Sequence, residues 1–397
     1  MTSLKDSPIG QTIVITGHDH RFAEDYEVEA YLPDPLPRNV DLRTETWRLI
    51  GDAMAELGRL DSAAIHLPNP RLVARVATRL EAVGTSALEG TYAELSEIFA
   101  AEILPDSETN GHNVPQRVRE VVNYIKASDF AFEWVADSPI TRNLMSAVQE
   151  QLVEGTESDG PEAGNVRTSQ VFVGPKNRPI TEARYVPPPP GDQLEAMYES
   201  WFDWVRDDRN PPNMSVLVAA ALAHYQFETI HPYNDGNGRV GRLGVALQLI
   251  RAAALSAPVL SISPWLKDHE DDYKDHLLAV SETGKWDNWV SFFAEAIIAE
   301  SRSSQERIKR LLDLRDELGL KVRKAIPRGR LSIDVVDDLI EFPIISVASV
   351  ASRYAKTNQA ARNALNRLIE IDLLQLFDDR AYDRLYWSPK VFDVIGN

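Results

Sequence analysis

Within the twelve residues His231-Pro232-Tyr233-Asn234-Asp235-Gly236-Asn237-Gly238-Arg239-Val240-Gly241-Arg242 stand one imidazole, one carboxylate, two guanidinium groups and closely spaced glycines. Glycines at 236 and 238 reach backbone conformations closed to other residues, so their amides can converge on an anion. An apolar helix is predicted from Val240 to Ile250, and its dipole adds to that pull. Arg239 and Arg242, three apart, project from one side of the helix and can grip further phosphate oxygens with forked donors. Asp235 would repel the same anion unless a hard divalent ion, Mg2+, bridges the two. His231, at the mouth of the loop, has a side chain suited to taking a proton from an incoming hydroxyl. One base, one metal ligand and an anion cradle make a phosphoryl or nucleotidyl transfer site.

This segment resembles the Fic family motif His-x-Phe-x-(Asp/Glu)-Gly-Asn-Gly-Arg-x-x-Arg at every defined position except Tyr233, which stands where the family usually has Phe. Tyr keeps the ring as a packing anchor and adds a hydroxyl that needs a partner. The resemblance extends through Ala223 to Glu228 upstream and Trp286 to Trp289 downstream. It implies a protein adenylyltransferase with ATP and Mg2+: His231 activates the target hydroxyl, Asp235 holds Mg2+, and Gly236, Asn237 and Gly238 bind phosphates. Asn237 and Arg239 then steady the alpha and beta phosphates, and Arg242 the gamma phosphate. Attack at the alpha phosphorus releases pyrophosphate, and the target is a Ser, Thr or Tyr hydroxyl of another protein or of the chain itself. Gln170, Val171, Phe172 and Val173 fall where the family has its flap, which aligns the target by strand addition; Val173 also falls beside the nucleotide. Tyr273, Leu277 and Ser281 fall where the family builds its adenine pocket, though Tyr273 and Leu277 equally suit a helix core. His224 reads as a core histidine, because no third metal ligand lies at suitable spacing.

Upstream, Thr85-x-x-x-Glu89-Gly90 resembles the family's inhibitory motif, placed N-terminal to the core as in its class II members. Glu89 would offer Arg242 a bidentate carboxylate where the gamma phosphate belongs. Such a charge-assisted pair is worth on the order of 2 kcal/mol, roughly thirtyfold in productive ATP binding.

The elements that must position these groups are mainly helical. Leu49, Ile50, Met54, Leu57 and Leu60 carry helical spacing, and Val216 to Phe227 is apolar almost all round, the mark of a buried helix. Few strands are visible. A hairpin is predicted from Ser169 to Val173, turning at Gly174 to Asn177 and returning through Ile180 to Val186 before four prolines. Prolines between Leu32 and Pro37, and at Pro68 and Pro70, mark off an extended N-terminal lead. A charged helical connector runs from about Ala294 to Lys324.

Beyond it the expectation is three helices (Val335 to Ile340, Val347 to Tyr354, Asn358 to Ile371) and two short strands (Leu373 to Leu376, Leu385 to Trp387) around a turn at Asp378-Asp379-Arg380. That is the order of a winged helix-turn-helix, a module appended to many bacterial Fic proteins. The division expected is 1–115 (helical, with the inhibitory motif), 116–300 (catalytic core), 301–328 (helical linker) and 329–397 (winged helix). Asn358, Gln359, Arg362, Asn363, Asn366 and Arg367 form a candidate recognition helix. Residues 331–397 carry ten acidic and seven basic side chains, a net of -3, so DNA affinity is expected to be weak and salt-sensitive; a protein-contact or homodimer role stands beside it.

The whole chain of 397 residues has a net charge of -18, which repels nucleic acid and anionic lipid at long range. It holds no cysteine, which excludes disulfides, thiolate nucleophiles and cysteine-bound zinc. The start lacks a signal-peptide pattern and no long uncharged apolar stretch follows, so a cytoplasmic protein is expected. Alternatives to adenylyl transfer are AMP removal or another phosphoryl transfer on the same scaffold, and a nucleotide-sensing transcriptional regulator.

Overall fold

The computed structural model describes residues 4–67, 70–103, 114–175, 177–206, 214–377 and 384–396. Pro68, Lys176 and the expected turn Asp378-Asp379-Arg380 lie outside the described residues.

The fold is mainly helical. In chain order its elements are β1 (Gly10–Asp19), β2 (Glu24–Pro33), α1 (Thr44–Ile65), α2 (Pro70–Leu88), α3 (Leu95–Ala101), α4 (Gln116–Asp137), α5 (Arg142–Val153), α6 (Asp192–Arg206), α7 (Val216–Ile230) and α8 (Asn237–Arg251). Then follow α9 (Ser263–Asp268), α10 (Glu270–Thr283), α11 (Asp287–Ala325), α12 (Arg330–Asp337), β3 (Ile344–Ser346), α13 (Val347–Arg353), α14 (Asn358–Glu370), β4 (Gln375–Leu376), β5 (Leu385–Trp387) and α15 (Pro389–Ile395).

The hydrophobic run of α7 is buried on every side, as its pattern demands. One side of it meets an aromatic group of Tyr198, Trp201 and Phe202 from α6 with Phe227 and Tyr233, whose rings stand 4.6 to 6.3 Å apart. The other side meets the first turns of α11 through Trp286, Trp289 and Phe293. α8 runs back against α7, and the close approach rests on Gly241. A methyl there would stand 2.9 Å from Glu228 Oε1 and 3.0 Å from Phe227.

The expected connector is a larger element than its charge suggested. α11 is one unbroken helix of 39 residues that crosses the expected boundary at 300, and Ile308, Leu311, Leu314, Leu318 and Val322 bury a stripe along its second half. Charged residues on the outer face concealed that stripe from the sequence reading.

Two strand expectations are corrected. The extended lead is a ten-residue antiparallel hairpin, β1 with β2, in register from Gly10 opposite Pro33 to Asp19 opposite Glu24. Val14, exposed between Ile13 and Ile15, turns the alternation of β1 into a continuous apolar run and so hid the strand. The hairpin expected at 169–186 is reduced to a single bridge between Val173 and Tyr185, and Ile180–Glu182 is a turn of 3-10 helix. Val173 and Tyr185 exchange both amide bonds, so the next rungs would need amides at 175 and 187; both are prolines, which limits pairing to one rung. Ile180 and Val186 pack instead against Ala30, Ile13 and Ile15 of the N-terminal hairpin, and the Tyr31 amide donates to Val186 O at 2.9 Å.

At the C-terminus the order is helix, strand, two helices and two strands, with strand order β3-β5-β4. α13 and α14 fall where the sequence placed them, whereas the first helix lies earlier than expected, at Arg330–Asp337 rather than Val335 to Ile340; β3 and α15 were not foreseen. This unit leans on α3 through Phe99, Ile344 and Leu385, and Arg75 of α2 stacks on Phe342 at 4.7 Å.

Candidate active site

The loop between α7 and α8 is built by its own side chains. His231 closes α7 in the left-handed conformation, φ 49°, and Gly236 opens α8 in the same region, φ 78°, where glycine carries no strain. Just past Gly236, Asn237 folds back: its Oδ1 accepts from the Tyr233 amide at 2.8 Å and its Nδ2 donates to Tyr233 O at 2.7 Å. The side chain expected at the phosphates is thus spent on loop shape, and its amide remains for an anion. The first helical bond of α8 is Val240 N to Gly236 O, 2.9 Å. The amides of Asn237, Gly238 and Arg239 therefore lie at the open helix start, where an anion binds. Tyr233 is fully buried and its hydroxyl meets Tyr198 at 2.6 Å, the partner that the extra hydroxyl required.

His231 is half-buried. Its Nδ1 stands 3.2 Å from Glu228 O. A carbonyl can only accept, so Nδ1 carries the proton and Nε2 keeps its lone pair. Burial pushes the imidazole down to about 4, with nearby Arg167 acting the same way against Glu89 and Asp235. The ring is neutral at pH 7, the state a base needs.

Asp235 is partly exposed; Oδ1 accepts from the Gly236 amide at 2.7 Å and Oδ2 from Ser158 at 2.6 Å. Among the described residues no group of three His, Cys, Asp or Glu is placed to hold a metal. A single carboxylate fits a Mg2+ that completes its shell with phosphates and water. Arg239 is buried, 3.4 Å from Glu120 and 3.7 Å from Asp235, with its Nε unbonded.

Arg242 is the most committed group. Its Nε donates to Thr85 Oγ1 at 2.7 Å, and one terminal nitrogen donates to Thr85 O at 3.2 Å and to Glu89 Oε1 at 2.6 Å. The expected two-toothed grip by Glu89 is one oxygen, and Thr85 takes Nε and shares the terminal nitrogen that Glu89 holds. Arg242 is 2% exposed and Glu89 36%. Burial works against the arginine's charge, and Glu89, Tyr273 and Glu228 together outweigh it, raising its pKa. Burial likewise pushes Glu89 up, yet Arg242 holds it below the usual carboxylate range. Gly90, φ 86°, ends the turn that presents Glu89. α2 is fixed in place by Glu81, whose carboxylate accepts from the amide and hydroxyl of Ser263.

Gln170, Val171, Phe172 and Val173, expected to form a flap, are all half-buried, and the preceding Ser169 meets Asn234 of this loop at 3.0 Å. Tyr273 and Ser281 are buried with their hydroxyls engaged, by His224 Nε2 at 2.7 Å and by Tyr225 at 2.8 Å; Leu277 is half-buried against the core. His224 sits within the core as expected, pushed down by burial to about 3.

Three residues escaped the sequence reading. Glu120 faces Arg239. Glu228, pushed up to about 7 by burial, lies beside His224 at 4.0 Å. Arg167, 1% exposed, is surrounded by backbone carbonyls. No spacing rule singles out a lone arginine or a lone acid.

This histidine, glycine and arginine loop, set between two buried helices with a carboxylate docked on its last arginine, defines a Fic-type site. Residues 139–249 match the Fic/DOC family and residues 47–133 match its N-terminal region, Fic/DOC family N-terminal. The chain belongs to the Fic/DOC family. It is 36% identical over 139 residues to protein adenylyltransferase Fic of Aedes aegypti, covering 34% of this chain and 24% of that one. It is 34% identical over 180 residues to protein adenylyltransferase Fic of Culex quinquefasciatus, covering 44% of this chain and 32% of that one. The chain thus spans a quarter to a third of the length of these relatives. A Fic family protein from Desulfovibrio desulfuricans shares the fold, with TM-score 0.56, 21% identity, and 89% of this chain and 98% of that chain covered.

Proposed function

We propose that the chain transfers AMP from ATP to a hydroxyl of a protein, itself included, and that Glu89 restrains it. The observation that carries this reading is the bond from Arg242 to Glu89 at the head of α8, beside a neutral His231 whose Nε2 can accept a proton. The open amides of α8 with Arg239 hold the phosphates, and Arg242 holds the gamma phosphate once Glu89 yields. Asp235 would hold Mg2+, which offsets phosphate charge. His231 Nε2 takes the proton as the hydroxyl oxygen bonds to the alpha phosphorus, and the bond to pyrophosphate breaks. Val173 and its neighbours align the target strand, and Tyr273, Leu277 and Ser281 lie toward the base.

The same reading keeps the division at 115/116, 300/301 and 328/329, with a winged helix at the C-terminus. Its exposed helix α14 offers Arg362, Asn363, Asn366 and Arg367 to weakly held DNA or to a protein surface, a second copy included. Among the described residues no helix is long and apolar enough to cross a membrane, in keeping with a cytoplasmic setting. Removal of AMP is a second reading, favoured by Glu89 standing near enough to His231 to influence its titration. The test is to incubate the Glu89→Gly chain with ATP and read the intact mass. Gain of AMP, lost again in Glu89→Gly/His231→Ala, supports transfer; gain of phosphate alone, or AMP gain without His231, overturns it.

A further inference from the structure

We propose that Arg167 is a positioning residue that keys the flap to the catalytic histidine, so that a target strand laid on the flap arrives in register with Nε2 of His231. This rests on the adenylyl-transfer reading. Four bonds carry it. Arg167 Nε donates to His231 O at 2.8 Å, one terminal nitrogen to Ser169 O at 3.1 Å and the other to Pro188 O at 2.5 Å. Its own amide donates to Pro232 O at 2.9 Å. The acceptors are the base itself, the residue after it, the residue just before the flap and a residue just after it.

Arg167 is buried, and the partners that its side chain meets are backbone carbonyls rather than a carboxylate. Burying a cation this way is costly, and burial pulls its pKa down to about 10. An ordinary core position would not hold such a group. Two local weaknesses show what it offsets. His231 is a non-glycine residue at φ 49°, a strained conformation that persists only where its surroundings over-determine it. The flap has one bridging rung, Val173 with Tyr185, and so cannot fix its own place. Arg167 ties both to a single planar fork, a geometry that lysine cannot reproduce. The phosphate cradle has separate supports in Asn237 and Gly236, so loss of Arg167 leaves it standing.

The experiment compares Glu89→Gly with Glu89→Gly/Arg167→Lys and Glu89→Gly/Arg167→Met, using self-incorporation of labelled AMP, ATP binding by calorimetry and amide hydrogen exchange. The lysine variant, which keeps the buried cation, is expected to incorporate AMP about 100-fold more slowly at saturating ATP. Its KM and Kd for ATP should stay within about threefold of the parent, the signature of lost positioning. Amides of Ser169 to Val173 should exchange faster while those of α8 do not. An unchanged rate, or exchange and ATP affinity failing together in flap and α8 alike, overturns the proposal. If Glu89→Gly itself incorporates no AMP, the adenylyl-transfer reading falls and this proposal falls with it. That outcome is distinct from an active parent indifferent to Arg167.

Discussion

Glu89 Oε1 lies 2.6 Å from a terminal nitrogen of Arg242, and the same oxygen covers the face of Gly238 at the start of α8. A carboxylate so placed takes both the charge and the space that a terminal phosphate would use. The pair is asymmetric, since the arginine is sealed in and the glutamate is reachable from solvent.

Glu89→Gly should raise AMP incorporation roughly thirtyfold, if a charge-assisted bond of about 2 kcal/mol opposes ATP. Labelled ATP and a gel suffice. Equal labelling of parent and variant would remove Glu89 from any inhibitory role.

Gly238→Ala tests the same crowding from the other side. A methyl would overlap Glu89 Oε1 and stand 2.9 Å from both terminal nitrogens of Arg242. ATP affinity should fall at least about tenfold by calorimetry, since Arg242 and the helix start are displaced together. Combining it with Glu89→Gly should restore only part, because the arginine clash remains.

Tyr233→Phe returns the motif to the family's usual residue but strands the Tyr198 hydroxyl, 2.6 Å away and fully buried. Thermal stability should drop by about 1 kcal/mol with AMP incorporation unchanged. Tyr198→Phe/Tyr233→Phe, which removes both hydroxyls, should recover most of the loss. A double variant no more stable than the single one would show that the pair is not what costs.

Glu300 gives a pH test. Burial pushes its carboxyl up to about 7, against an ordinary value near 4.5, with Arg307 pulling the other way. As pH rises the unfolded chain loses this proton first. The stability that Glu300 contributes is therefore complete below pH 4.5 and lost as pH climbs through 7. Glu300→Gln should match the parent at pH 4.5 and exceed it at pH 8 by on the order of 1–3 kcal/mol in urea unfolding. A constant difference across that range would contradict the shifted titration.

Much of this molecule was legible in the order of its residues, where the physical signal is local. The loop from His231 to Arg242 states its chemistry outright, because glycines, a base and two arginines crowd one helix start. The all-round apolar run of α7 and the helices of the C-terminal unit followed from periodicity. What stayed hidden depends on distant partners. Arg167 looks like any surface arginine until three carbonyls from separate segments close on it. Hairpin β1–β2 was masked by the exposed Val14, which breaks the alternation between Ile13 and Ile15, while Ser169 to Val186 showed alternation that Pro175 and Pro187 then prevented from pairing. Tyr273 and Ser281 offered hydroxyls to a pocket in sequence, and their nearest partners in the fold are His224 and Tyr225.

The N-terminal hairpin also dictates an order of assembly. Tyr31 donates to Ser281 O across 250 positions, and Asp34 O receives Gln226 across 192. A lone pair of strands is marginal in water, so β1 and β2 must wait during synthesis until the helices that receive them have emerged. The flap gains its backing at the same late moment. A fragment cut at 116–300 would carry His231, Asp235, Arg239 and Arg242 and still lack the floor beneath Ile180 and Val186.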